Sequence, residues 1–302
     1  MWLIALFQIL VPVLFIAIIA SVQQPNRWRW ALNTLAYSLA ITFMILSSRW
    51  DLVSVYLRIL YPVLLAVAIL ISYKRIGSSG KPQSRILTGL NLSISVILIG
   101  LMGGLSWQPL KGYPAPAGTI DLVSPLRDGN YVVLHGGASP FINGHFKVRP
   151  QKFAVDIVGL NKLGLRAKAF SDSKNRDNYE IYGANLYSPC NGTVVVAVDE
   201  YQDLVPPKTD PEHLAGNHVL LECNGVEVLM AHMKKNSVSV NAGDSVSTAT
   251  LLGKVGNTGN TSEPHLHLHA ERDGAPGKIL DGIAVPITID GRFLVRGSII
   301  SN

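Results

Sequence analysis

The chain has 302 residues, of which 48% are hydrophobic and 15% charged, and its mean hydropathy is +0.28. That balance excludes an ordinary soluble domain, which carries more charge and less apolar surface. The net charge of +6 partly reflects lysines and arginines between apolar runs, so it does not point to a nucleic-acid partner.

No charged side chain occurs from Met1 to Asn26, and the run Trp2–Val22 is long enough to cross a hydrocarbon core of roughly 30 Å as a helix. A signal peptide is the competing reading. It lacks a positively charged start, and three more apolar runs follow: Trp30–Ser47, Leu52–Tyr73 and Ile86–Leu105. Only Arg58 interrupts them, and it either snorkels toward Asp51 or faces a bundle interior. Residues 1–105 therefore read as four membrane helices, with the lipid bilayer as a partner. Arg27 and Arg29 in the first loop, and Lys74, Arg75, Lys81 and Arg85 in the third, make those loops cytoplasmic by the positive-inside rule; the second holds only Arg49 beside Asp51. Both termini and everything after about Trp107 are then extracytoplasmic, in a multi-pass protein of the cytoplasmic (inner) membrane.

Residues 106–118, "SWQPLKGYPAPAG", are rich in Pro and Gly and read as an extended linker. A second domain spans residues 119–302. Its runs "NYVVLHGG", "KFAVDIVGL", "GTVVVAVD", "NHVLLECNG", "VEVLMAHM", "LLGKVGN" and "HLHLHAE" are short, β-branched and bounded by turn residues, which predicts a mostly antiparallel β domain. Asn224-Gly225 in "ECNGVEV" marks a hairpin. Residues 161–185 and 200–216 are polar and resist assignment, as walls or lids around a groove would. Cys190 and Cys223, the chain's two cysteines, read as one disulfide in an exported domain, the alternative being two buried thiols.

The stretch "TSEPHLHLHA" places His265, His267 and His269 at alternate positions. On a strand they share one face while Leu266, Leu268 and Ala270 cover the other, and three imidazoles are poor core filler but good zinc donors. One strand cannot complete a metal site, so partners must come from elsewhere. Asp156, between Val155 and Ile157, points away from their side and is the best-placed acid.

These segments resemble the lysostaphin-type (LytM-like) zinc metalloendopeptidases, which cut peptide cross-links of bacterial peptidoglycan. The resemblance rests on Gly243-Asp244-x-Val246, the Gly253…Gly256-Asn257 turn, Pro264-His265-Leu266-His267, "VLMAHM" and "FAVDIV". It implies a small antiparallel β-sandwich, one zinc ion, Asp156 and His267 as ligands, and His232 and His265 as catalytic histidines. The family's remaining ligand is a histidine four residues before the aspartate, where this chain has Lys152. A lysine ammonium donates no electron pair. His145 is the expected replacement, and Gln151 is a weaker oxygen donor. His269 is expected to orient a ligand or contact substrate. The expected function is zinc-dependent cleavage of peptidoglycan peptides, the alternative being a degenerate LytM-like module that binds wall peptides or activates another wall hydrolase.

Overall fold

The computed structural model describes residues 2–77 and 85–301. The chain divides into two compact units, Met1–Leu110 and Lys111–Asn302.

The first unit holds helices α1 (Trp2–Ser21), α2 (Arg27–Ser47), α3 (Leu57–Tyr73) and α4 (Arg85–Leu110). Asn26 caps α2 by accepting a hydrogen bond from the Arg29 backbone N–H, one of the donors a helix start leaves unsatisfied. α1 packs on α3, and α2 on α4. Between helices, Trp30 Nε1 donates to Ser72 Oγ at 2.9 Å and Ser95 Oγ to Asn33 Oδ1 at 2.5 Å, where an unmatched polar atom would be costly. Leu3–Ser21, Arg27–Ser47 and Thr88–Leu110 are long and apolar enough to cross a membrane.

Two expectations are corrected. The run Leu52–Tyr73 does not form one long helix: Trp50–Leu52 is a 3₁₀ turn, Ser54 has φ 141°, and α3 begins only at Leu57. Its 17 residues reach about 25 Å at 1.5 Å per residue, short of a bilayer core. Arg58 stands in its first turn, half-buried. The expected linker also starts too early, because α4 continues through Trp107 to Leu110. Pro109 lies in its last turn, where the missing N–H forfeits a single helical bond. Lys81 of the third loop lies outside the described residues.

The second unit is a mostly antiparallel β domain. Its strands are β1 (Ile120–Leu122), β2 (Asn130–His135), β3 (Val155–Leu160), β4 (Asn185–Tyr187), β5 (Gly192–Val198), β6 (Asn217–Glu222), β7 (Glu227–Met233), β8 (Ser245–Val246), β9 (Leu251–Lys254), β10 (Leu266–Arg272), β11 (Ile283–Val285), β12 (Ile287–Ile289) and β13 (Ile299–Ser301). The main sheet runs β13-β2-β3-β10-β7-β6-β5-β8, with β11 also on β10. β4 pairs with β9 antiparallel, and β1 with β12 in parallel.

Strand alternation divides the sheet into an apolar and a polar face. Val155, Ile157, Val228, Met230, Leu266, Leu268 and Ala270 enter one core with Leu122, Leu186, Leu252, Ile287 and Ile289 of the flanking pairs. Each such large side chain contributes about 1.5–3 kcal/mol on burial. On the opposite face Leu220, Leu229 and Ala231 form a smaller cluster under Ile279, and the remaining positions are left to polar side chains. Asn224 (φ 55°) and Gly225 (φ 81°) form the β6–β7 turn, both central residues left-handed as a type I′ hairpin requires. Cys190 and Cys223 are disulfide-bonded, with Cα atoms 6.1 Å apart.

Candidate metal centre

Register places the site. In the central strands β3 and β10, Asp156 stands directly opposite His267, and on the other side of β10 His267 pairs with Ala231, beside His232. The side chains of Asp156, His267 and His269 thus leave the apolar core and converge on the polar face, buried to 4%, 3% and 1% exposure.

Asp156 is the hub. Its Oδ1 lies 2.8 Å from His267 Nδ1 and 3.7 Å from His265 Nε2, and its Oδ2 lies 2.8 Å from His145 Nε2. Burial alone would raise its carboxyl pKa, but the charges of His145 and His265 and the hydrogen bonds of His145 and His267 hold it well below the usual range. Burial lowers His267 to about 3 despite the bond to Asp156. For His145 burial acts downward, yet Asp156 and Gln151 raise its pKa overall.

His145 reaches the site from the 3₁₀ turn Gly144–Lys147. Asn143, fully buried, ties this turn down. Its Oδ1 accepts from the His145 backbone N–H, and its Nδ2 donates to the carbonyls of Gly137, Lys152 and Ala154. His135 supports the turn from β2: its Nδ1 accepts from Gly144 N and Arg296 Nη2, and its ring stands edge-on to His145 at 5.7 Å. Gln151 lies behind the site, with Oε1 3.2 Å from His145 Nδ1. It therefore orients the imidazole instead of joining the inner donors. Lys152 sits with its ammonium 5.0 Å from the Phe146 ring and 5.4 Å from that of Phe153.

The other two histidines face the same place through Nε2. Both Nδ1 atoms are occupied: His232 donates to Thr258 O at 2.8 Å, and His265 to Glu263 O at 2.8 Å, with Thr261 Oγ1 at 3.1 Å. His232 has φ 63°, a left-handed conformation costing a β-type residue about 1–3 kcal/mol. Burial, then the neighbouring His265 and His267, push its pKa well down. The ring centroids of His232 and His265 are 4.8 Å apart. The two polar segments left unassigned by pattern are pinned to the stretch carrying His265. Arg166 Nε meets Glu263 Oε2 at 2.7 Å, and Asp203 Oδ1 accepts from Asn257 N at 2.7 Å.

Among the described residues two donor groups could hold an ion, His145 with Asp156 and His267, and His232 with His265 and His267. In each, the ligand atoms lie within 4.8 Å of one another. The first set fits zinc: two imidazoles and a carboxylate are a zinc donor set with one position left open, and the carboxylate stands 2.8 Å from one nitrogen of each imidazole. Its carboxylate also offsets the ion's charge, which three imidazoles cannot do.

His213 and His218 lie elsewhere: His213 pairs with Asp210 in an exposed loop, and His218 bonds to Gly216 O in β6. The sequence gives no signal for Asn143, whose role depends on distant contacts, offers His135 only as a residue that could line the groove, and leaves Glu271 unnoticed. The last had a signal, since it continues the period-two series of His265, His267 and His269.

A β domain with a buried His/Asp cluster between its central strands has the donors to hold a metal ion. Residues 177–278 match Peptidase family M23, in agreement with the LytM-like motifs. His232, His265 and His267 lie within the matched span; His145 and Asp156 precede it. The chain is also similar in part to solved structures. A peptidase M23 from Pseudomonas aeruginosa is 23% identical over 30% of this chain and 35% of that one, TM-score 0.23, so the chain spans about a third of its length. The SpoIIQ-SpoIIIAH pore-forming complex is 18% identical over 59% and 92%, TM-score 0.35. A zinc-containing peptidase from Vibrio cholerae is 18% identical over 39% and 46%, TM-score 0.23.

Proposed function

We propose that this protein is a zinc-dependent endopeptidase that cleaves peptide bonds of bacterial peptidoglycan, held at the cytoplasmic membrane by its N-terminal helices with the β domain outside. The observation that carries this reading is the clustering of His145 Nε2, both Asp156 oxygens and His267 Nδ1, faced by the Nε2 atoms of His232 and His265. His145, Asp156 and His267 would hold one zinc ion. When bound, zinc supplies Lewis acidity, polarising a peptide carbonyl and acidifying a water.

The chain's own residues supply the rest. With Nδ1 committed to Thr258 O, His232 presents the Nε2 lone pair; with Nδ1 committed to Glu263 O, His265 does the same. Each can accept the proton of an attacking water and, once protonated, hydrogen-bond a developing oxyanion or protonate the leaving amine. Burial disfavours the charged form of His232, so its protonated ring is a stronger acid toward the leaving amine than an exposed imidazolium.

The test is zinc content and peptidoglycan hydrolysis in the detergent-solubilised full chain and its variants. His145→Ala and His267→Ala are expected to lose both. His232→Ala and His265→Ala are expected to keep zinc while activity falls roughly 100-fold or more. Lys152→Ala is expected to keep both. A wild-type protein without zinc would reject the enzyme reading in favour of a wall-binding module, and full zinc in His145→Ala would reject the ligand assignment.

A further inference from the structure

β10 carries three polar side chains in line on one face, His267, His269 and Glu271, exposed by 3%, 1% and 1%. His267 Nε2 lies 2.9 Å from His269 Nδ1, so one proton sits between the two rings. His269 Nε2 is buried and has no hydrogen-bond partner, although Glu271 Oε1 is 3.5 Å away. The Glu271 carboxylate is itself fixed from the far side, with Oε1 accepting from Leu280 N at 2.9 Å and Oε2 from Gly282 N at 2.7 Å.

Two arrangements of neutral tautomers satisfy the bond between the rings. In the first, His267 donates from Nδ1 to Asp156, and His269 donates from Nδ1 to His267 Nε2. The His269 Nε2 lone pair is then directed toward the Glu271 carboxylate, an unpaired buried acceptor beside an anion. In the second, His267 donates from Nε2 to His269 Nδ1, and His269 donates from Nε2 to Glu271. Every ring nitrogen then has a partner, provided that the His267 Nδ1 lone pair has an electron acceptor in place of the proton it shares with Asp156. A metal ion at Asp156 is such an acceptor.

We propose that His269 and Glu271 are positioning residues, a buried relay that holds His267 in its Nε2–H tautomer and so presents Nδ1 to the metal. This rests on the zinc site proposed above. On loading, the proton between the rings passes from His269 Nδ1 to His267 Nε2. His267 Nδ1 releases one proton to solvent and His269 Nε2 takes one up from solvent, so the pair's proton count is unchanged and both imidazoles stay neutral. The backbone N–H groups of Leu280 and Gly282 anchor the far end, and Ile279, next to Leu280, packs on the small apolar cluster of the same sheet face. The relay therefore links the metal ligand to the 279–282 segment. Metal-ligating histidines gain affinity from such outer partners, whose loss typically weakens binding about 10–100-fold.

The experiment is carried out on the full chain in detergent. Long-range proton–nitrogen correlation spectra of ¹⁵N-histidine-labelled wild type are recorded without and with zinc, with His269 assigned from the His269→Gln spectrum. The expected result is that in the zinc form both His267 and His269 carry their proton on Nε2. A His269 that remains protonated on Nδ1 with zinc bound overturns the relay. Zinc titration supplies the second arm. His269→Leu is expected to weaken the Kd about 10–100-fold, and His269→Gln, which can still accept from His267 and donate to Glu271, to restore it to within about threefold of wild type. Equal affinity of wild type and His269→Leu rejects the relay while leaving the zinc site standing; a wild type that binds no zinc rejects both.

Discussion

At the scale of single residues, the second unit separates histidines by what their ring nitrogens face. His218 gives a clean case away from the metal centre. It is 8% exposed in β6, and burial lowers its pKa despite the bond to Gly216 O. The folded protein thus resists a proton that the unfolded chain accepts below about pH 6.5. Stability contributed by neutral His218 is present above that value and is lost as pH falls toward the lower folded pKa. Thermal unfolding at about pH 7.5 and about pH 5.5 should show a smaller acid-induced drop in Tm for His218→Gln than for wild type. An identical drop in both proteins would remove the assignment. Lys152 illustrates the converse: it stands at a ligand's expected place in the sequence, yet its ammonium lies over Phe146 and Phe153 while His145 approaches Asp156 from a separate turn.

At the scale of elements, β3, β10 and β7 position the cluster, and the β6–β7 hairpin fixes the register of the last. The disulfide joins the end of that hairpin, at Cys223, to Cys190 just before β5, across a separation of 33 residues. In the chain-entropy description a closed loop of that length stabilises by about 3–4 kcal/mol. Replacing both cysteines with serine should lower the unfolding free energy of the β domain by about that amount, read by denaturant titration. Wild type treated with reductant should shift in the same direction. No change on replacement would show that the bond contributes nothing to the folded domain.

At the scale of the whole molecule, the proposed substrate and the proposed side of the membrane support each other. Arg27 and Arg29 in the first turn of α2, and Lys74 and Arg75 after α3, set the loop-charge asymmetry among the described residues. A reporter active only after export should be active when fused at residue 120 and inactive at residue 80. The reverse pattern would place the β domain in the cytoplasm, away from peptidoglycan. Among the described residues three helices have spanning length by themselves, so α3 is the segment whose membrane depth this topology depends on most.

The sequence alone was enough for whatever depends on local periodicity. Alternation places His267 and His269 opposite Leu266 and Leu268, an aspartate between Val155 and Ile157 marks a polar position on an apolar strand, and Asn224-Gly225 specifies a tight hairpin; His265 stands just before the histidine-bearing strand. Faces and turns follow from backbone geometry a few residues long. Apolar runs likewise revealed four helices but not their ends, because Pro109 costs little in a last turn and the break before Leu57 depends on a 3₁₀ turn. Which atoms converge was decided by tertiary structure: the order β3-β10-β7 sets His267 against Asp156 across 111 residues. The buried Asn143 aims His145 at the same carboxylate, and Glu271 receives its role from the Leu280 and Gly282 amides. These contacts require long loops to close and distant strands to find one register, information that no local pattern contains.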